Sequence, residues 1–141
     1  MPKPTTIQDC MRKNPLTIGI DANVVQAVEM IVEYKLTGLT VSDDKGCVVG
    51  ILSELDCLQA ILTTIYNDGD AEHALVRDVM QTDVNTCSPE EGIVEVAQAM
   101  LDSKQRRRPV LTAGKLVGQV SCSNILWALM EYSRRKHQAA L

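Results

Sequence analysis

Two short stretches carry the side chains best suited to binding chemistry. In Ser53-Glu54-Leu55-Asp56 a hydroxyl and a carboxylate stand three residues apart, directly after the apolar run Val48-Val49-Gly50-Ile51-Leu52. If that run is a strand and Ser53 opens a helix, the hydroxyl and the free N–H groups of the first turn face outward with the positive end of the helix dipole, which favours an anion. Asp56, still in the first turn, can accept hydrogen bonds from a pair of ligand hydroxyls. The same spacing is also a helix cap, with Ser53 as N-cap and Asp56 as the short form of the capping-box acid, and that alone accounts for both residues. The second stretch, Arg106-Arg107-Arg108, forms with Lys104 the densest positive charge in the chain. Guanidinium groups grip phosphate oxygens bidentately. Alternate residues of an extended segment point to opposite sides, so either Arg107 or the pair Arg106 and Arg108 would serve. A solvated basic patch or a set of interface ion pairs is the other reading of the run.

Other chemistries find little support. The imidazoles are His73 and His137, and neither neighbours a patterned nucleophile. The chain has no P-loop, no G-x-G-x-x-G, no H-E-x-x-H and no acids at metal-ligand spacing. Asp43-Asp44 and Glu90-Glu91 read as turn and helix-start charges. The expectation is a non-enzymatic protein with no catalytic residue, no metal and no resident cofactor. Cys10, Cys47, Cys57, Cys87 and Cys122 are odd in number and contain no C-x-x-C pair, so they are read as buried, reduced thiols.

The elements that must position these residues follow from composition and repetition. A chain of 141 residues with 45% hydrophobic and 23% charged residues suits one packed domain or two half-domains sharing a core. A net charge of −4 argues against whole-surface binding to nucleic acid or to an anionic membrane, so any anion site is local. The few aromatics, Tyr34, Tyr66, Trp127 and Tyr132, make no stacking platform for a nucleic-acid single strand. The opening residues form no signal-like apolar segment and no later run is long enough to span a bilayer, so a cytoplasmic location is expected.

The chain repeats itself. At a shift of 69, Asp9 falls on Asp78, Met11 on Met80, Thr17 on Thr86, Val25 on Val94, Lys35 on Lys104 and Val41 on Val110; at 68, Gly46 falls on Gly114, Val49 on Val117, Gly50 on Gly118, Ser53 on Ser121 and Leu58 on Leu126. Each copy reads as β-α-β-β-α. In the first, Asp21 is placed as N-cap before the stripe Val24, Ala27, Val28 and Ile31. In the second, Ser88 is placed as N-cap with Pro89 at the first helical position, before Ile93, Val96, Ala97 and Met100. Hairpins follow, Leu39–Val41 with Val48–Leu52 and Pro109–Leu111 with Leu116–Val120. The closing helices open at Ser53, with Leu55, Leu58, Leu62 and Ile65 on one side, and at Ser121 or Ser123, with Ile125, Leu126, Leu129 and Met130 as stripe. The boundaries read as a first repeat at 1–62, a linker at 63–75, a second repeat at 76–132 and a basic helical tail at 133–141.

The segment Val49-Gly50-Ile51-Leu52-Ser53-Glu54-Leu55-Asp56 resembles the G-h-x-S/T-x-x-D pattern of cystathionine-β-synthase (CBS) domains, as does Arg108-Pro109-Val110 in the second copy. The resemblance covers roughly residues 7 to 131 and implies a tandem pair, or Bateman module. Its fold class is α/β (α+β), with two β-α-β-β-α repeats packed about a pseudo-twofold axis, and it usually dimerises. It further implies composite sites for an adenosine-type ligand, with serine for phosphate and aspartate for ribose. The main site is then Ile51, Ser53 and Asp56 with Thr86, Arg106, Arg107, Arg108, Pro109 and Val110. A second, weaker or differently selective site combines Thr17, Leu39, Thr40 and Val41 with Gln119, Ser121 and Asn124, because Asn124 replaces the aspartate and Gln119 replaces Ile51. The function so implied is a regulatory module sensing AMP, ADP, ATP or S-adenosylmethionine, acting as a homodimer on an effector protein. The competing reading is a ligand-free module for dimerisation and protein docking.

Overall fold

The computed structural model describes the backbone of residues 5–140 and the side chains of residues 5–134. In chain order its elements are β1 (Arg12–Lys13), β2 (Thr17–Gly19), α1 (Val24–Glu33), β3 (Gly38–Ser42), β4 (Val48–Ser53), α2 (Glu54–Tyr66), α3 (Val76–Val79), α4 (Ile93–Ser103), β5 (Arg107–Thr112), β6 (Lys115–Ser121) and α5 (Cys122–Ala140), with short 3-10 turns at Ile7–Asp9 and Ala71–His73. The chain divides into two compact units: Leu16–Val84, and the first fifteen residues together with Asn85 onward.

Within the Leu16–Val84 unit the sheet order is β2-β3-β4, with β2 parallel and β4 antiparallel to β3. The alternation of β3 and β4 sends Leu39, Val41 and Leu52 into a core shared with Val24, Ala27 and Ile31 of α1 and Cys57 of α2. In the other unit the order is β1-β6-β5, all antiparallel, and Val110 and Val120 meet Ile93, Val96 and Met100 of α4 and Ile125 and Ala128 of α5. The two hairpins turn differently. Ala113 and Gly114, both at positive φ (53° and 79°), close β5–β6 as a two-residue turn, whereas β3–β4 needs Asp43 to Cys47, with the Asp43 carboxylate accepting from the N–H groups of Lys45 and Cys47 at 2.9 Å each.

Each unit takes its opening segment from the other sequence repeat. Val76, at the head of the second repeat, is fully buried among first-repeat residues, and Ile7, at the head of the first, is fully buried among second-repeat residues. Equivalent backbone bonds hold the two: Val76 N–H donates to the Ala22 carbonyl and Ile7 N–H to the Glu91 carbonyl, both at 2.9 Å. The chain then runs past a glycine. A Cβ on Gly50 would lie 2.7 Å from Met80 Sδ and 2.9 Å from the Gln81 carbonyl oxygen; on Gly118 it would lie 2.6 Å from Met11 Sδ and 3.0 Å from the Arg12 carbonyl oxygen. Backbones this close explain why glycine recurs at both positions.

Five local expectations are corrected. The N-cap of α1 is Asn23, not Asp21: the Asn23 carboxamide oxygen accepts from Gln26 N–H at 2.8 Å and the Gln26 side chain returns the bond at 2.9 Å, while Asp21 pairs with Arg77. Helix α4 starts at Ile93 with Gly92 as N-cap, because Ser88 to Glu91 form a turn whose Pro89 and Glu91 carbonyls accept from Gln8 and Ile7 N–H. The opening strand of the second copy shrinks to one parallel bridge, Cys87 to Val110, cut short by Pro89. The stripe of α2 faces outward, with Leu55 75% and Ile65 62% exposed, and small Cys57 is the residue it buries. In α5 the stripe divides, Ile125 buried and Leu126 and Met130 exposed.

Candidate ligand-binding site

The turn from β4 into α2 places the first chemical group. Ser53 has extended backbone (φ −92°, ψ 165°), and its hydroxyl accepts from Asp56 N–H at 3.1 Å. Asp56 Oδ2 accepts from Ser53 N–H at 3.0 Å. The capping box is therefore formed, and it fixes the carboxylate without using it up: Oδ1 is left facing Gln81, whose amide donates to it at 3.3 Å. An ionised carboxylate accepts up to about four hydrogen bonds, so Asp56 keeps capacity for hydroxyl donors. An open groove of about 370 Å³ runs from Asp56 along α2 past Gln59 and Thr63 to Asp78. Its walls carry two acids and no cation, a lining suited to hydroxyls and hostile to phosphate.

The same turn recurs from β6 into α5. Asn124 N–H donates to the Ser121 hydroxyl at 3.2 Å and Ser121 N–H to Asn124 Oδ1 at 3.0 Å, so Ser121 and not Ser123 is the cap. A backbone N–H can only donate, which fixes the Asn124 oxygen on the cap and turns its NH₂ outward.

Strand register lines up further residues. Thr17 is opposite Thr40, Thr40 opposite Ile51, and Ile51 bridges Gln81, making one row across the sheet. In the other unit Pro109 is opposite Gln119 and Gln119 opposite Arg12, with Thr86 just before the Cys87 bridge. Thr17 is exposed and Thr86 half-buried, whereas Leu39, Thr40, Val41, Pro109 and Val110 are buried. Leu39, Val41 and Val110 belong to the cores. Gln81 and Arg12 were not singled out from sequence. The signal was present, since each directly follows a methionine of the repeat, Met80 or Met11.

The three arginines differ. Arg106 is exposed and Arg107 half-buried. Arg108 is only 7% exposed, with Nε donating to Gln105 Oε1 at 2.9 Å and a terminal nitrogen to the Ser103 hydroxyl at 3.4 Å. The first two have the accessibility a phosphate needs, and Arg108 braces the approach to β5.

The thiols are not uniformly buried, as the sequence had suggested. Cys57 and Cys87 are buried, Cys10 and Cys47 half-buried, and Cys122 exposed at the start of α5. Burial, reinforced by the charge of Glu91, pushes the Cys87 thiol up to about 11 despite the opposing pull of Arg108. Burial, then the charges of Asp56 and Glu54, raises Cys57. Both stay protonated at neutral pH, which keeps them from acting as nucleophiles. Asp9 is lowered by the N–H groups of Thr5 and Thr6 that it accepts from. Among the described residues no His, Cys, Asp and Glu form a metal-holding group, and no helix is long and apolar enough to cross a membrane. The side chains of Arg135, Lys136 and His137, read as a basic tail, lie outside the described residues.

The family model "CBS domain" matches residues 7–63 and again 76–131. The chain belongs to the CBS-domain family. Among curated relatives of this CBS pair, MJ1225 of Methanocaldococcus jannaschii is 25% identical over 120 residues, covering 85% of this chain and 41% of that protein. The chloroplastic CBS domain-containing protein CBSX2 of Arabidopsis thaliana is 29% identical, covering 92% and 65%. The chain thus spans from two fifths to two thirds of these relatives' length. The crystal structure of CBSX2 in complex with AMP superposes with a TM-score of 0.79 at 29% identity, over 91% of this CBS pair and 98% of that chain. The mixed α and β architecture with two three-stranded sheets is that of CBS pairs.

Proposed function

We propose that this CBS pair is a non-enzymatic regulatory module that binds an adenosine-type ligand, AMP, ADP, ATP or S-adenosylmethionine. Asp56 accepts from the ribose hydroxyls, and Ile51, in the strand that leads into the Ser53 turn, lines the base. One observation carries the reading: the capping box holds the Asp56 carboxylate still while leaving it acceptor capacity beside an acidic, open groove. The relative crystallised with AMP supports the choice of nucleotide. Binding acts as a switch if the ligand favours one conformation of the pair over another.

A second reading, an assembly module that binds no small molecule, is favoured by the outward apolar faces. Leu55, Leu58, Ile65 and Tyr66 of α2 and Leu126, Trp127 and Met130 of α5 are exposed, and large apolar side chains gathered on the outer face of a helix mark an interaction surface. A second copy of this chain is the occupant we assign to them, and the two readings are compatible. Isothermal titration of the full chain with the four ligands, with sedimentation before and after, separates them. The sensing reading expects saturable heat that Asp56→Ala removes while circular dichroism is unchanged. A dimer giving no heat with any of the four at millimolar concentration leaves only the assembly reading.

A further inference from the structure

Charge divides between the two compact units far more unevenly than a repeated sequence would suggest. The Leu16–Val84 unit contains twelve acids against the three cations Lys35, Lys45 and Arg77, while the other unit contains eleven cations against six acids. The first therefore carries nine net negative charges and the second five net positive ones, which together give the chain its −4. Three cations cannot neutralise twelve acids, so pairing inside the unit, such as Arg77 with Asp21, leaves its field in place. The twelve acids are all exposed or half-buried. The division reaches the helices that bear the outward apolar faces. α1 and α2 hold Glu29, Glu33, Glu54 and Asp56 and no Lys or Arg, beside exposed Leu55 and Leu58. In α5, exposed Leu126, Trp127 and Met130 lead into Glu131 and then the run Arg134-Arg135-Lys136. The acids of α4, Glu95 and Asp102, are outweighed in their unit by Lys104 and the arginines that follow.

We infer that two copies of this chain associate crosswise, the acidic unit of each seated on the basic unit of the other. In a symmetric pair of chains each unit meets either its own copy or the opposite unit. Burial of the apolar faces favours both pairings alike, so charge decides between them. Like on like sets nine negative charges against nine and five positive against five, and both contacts are opposed. Crosswise, both contacts are attractive, and the uncompensated acids of α1 and α2 face the unit that holds the surplus of cations. The inference rests on the assembly reading above and adds to it the way the copies face.

The test follows the full chain by sedimentation across a dilution series at about 0.05 M and about 0.5 M NaCl. Salt screens the attraction between unlike units, so the crosswise dimer should come apart at roughly tenfold higher concentration in the saltier buffer. Like-on-like pairing gives the opposite sign, because salt there screens repulsion. Glu29→Lys combined with Glu33→Lys, at two exposed positions, should weaken the crosswise dimer and would tighten a like-on-like one. Orientation is read directly with a short bis-maleimide in a Cys122→Ser background, which removes the exposed thiol. Leu58→Cys and its repeat equivalent Leu126→Cys, made in separate chains, should cross-link after mixing and neither should do so alone. Cross-linking of either variant alone, or a dimer that salt tightens or leaves unchanged, overturns the crosswise arrangement and leaves the assembly reading standing. A dimer that gives no cross-link in any of the three samples places the contact away from α2 and α5 and overturns it as well. A chain that stays monomeric at every concentration and salt overturns both, and assigns the apolar faces to a different protein.

Discussion

The Asp56 and Asn124 turns differ in charge but not in architecture. Both sit where a hairpin's second strand enters a helix, both are capped by a serine with bonds of 3.0 to 3.2 Å, and both adjoin a glycine crossed by a methionine-led segment. What holds the turns is therefore backbone packing and capping, and the side-chain oxygen of either Asp or Asn closes the cap. What the turns offer a ligand depends on side-chain atoms the fold does not use. A duplicated fold can in this way keep its geometry while its two turns diverge in chemistry.

The strongest way to break the comparison is through the glycines. In Gly50→Ala the new methyl group would meet the Gln81 carbonyl at 2.9 Å, and in Gly118→Ala the Arg12 carbonyl at 3.0 Å. Backbone atoms cannot rotate aside as Met Sδ can, so each change should cost about 1–3 kcal/mol, read as a lower denaturant midpoint. Similar losses in both variants would support equivalent packing. A loss in one alone would show that the opening segments of the two repeats do not hold their units equally.

Capping gives a smaller, sharper contrast. Ser53→Ala and Ser121→Ala each remove the acceptor for one first-turn N–H and should each cost about 1 kcal/mol. The two losses should agree within error in urea titrations, since the bonds they delete are near copies. If only Ser53→Ala proved costly, the Asn124 turn would be held by something other than its cap.

Much of this comparison was legible in the sequence because it is written locally. The hairpins follow from alternation, the inner faces of α1 and α4 from a 3.6-residue period, and Ser53 as a cap from its position between an apolar run and an acid. What escaped depends on distant partners. Asp21 has the composition of a cap but pairs with Arg77, fifty-six positions away, leaving the role to Asn23. Ser88-Pro89-Glu90-Glu91 has the composition of a helix start, yet Ile7 and Gln8 hold its carbonyls in a turn. The period of α2 showed that an apolar face exists but not which way it points; small Cys57 turns inward against the sheet, leaving the leucines outside. Gln81 and Arg12 were passed over because their importance comes from register with Ile51 and Gln119, which no local pattern encodes.

The smallest effect is the most specific to the difference in charge. A carboxylate in the first turn of a helix gains about 0.3–1 kcal/mol from the dipole, and an amide does not. Asp56→Asn should therefore lower stability by that amount and Asn124→Asp raise it, with Arg12 at the neighbouring register adding to the gain. Both shifts come from charges near the surface, so they should shrink toward zero in 1 M salt while the glycine and serine effects persist. Melting curves at low and high salt read all of this from two variants. A destabilised Asn124→Asp chain with its cap intact would mean that the amide is required by its surroundings, and that the chemistry of the second turn was not free to diverge from that of the first.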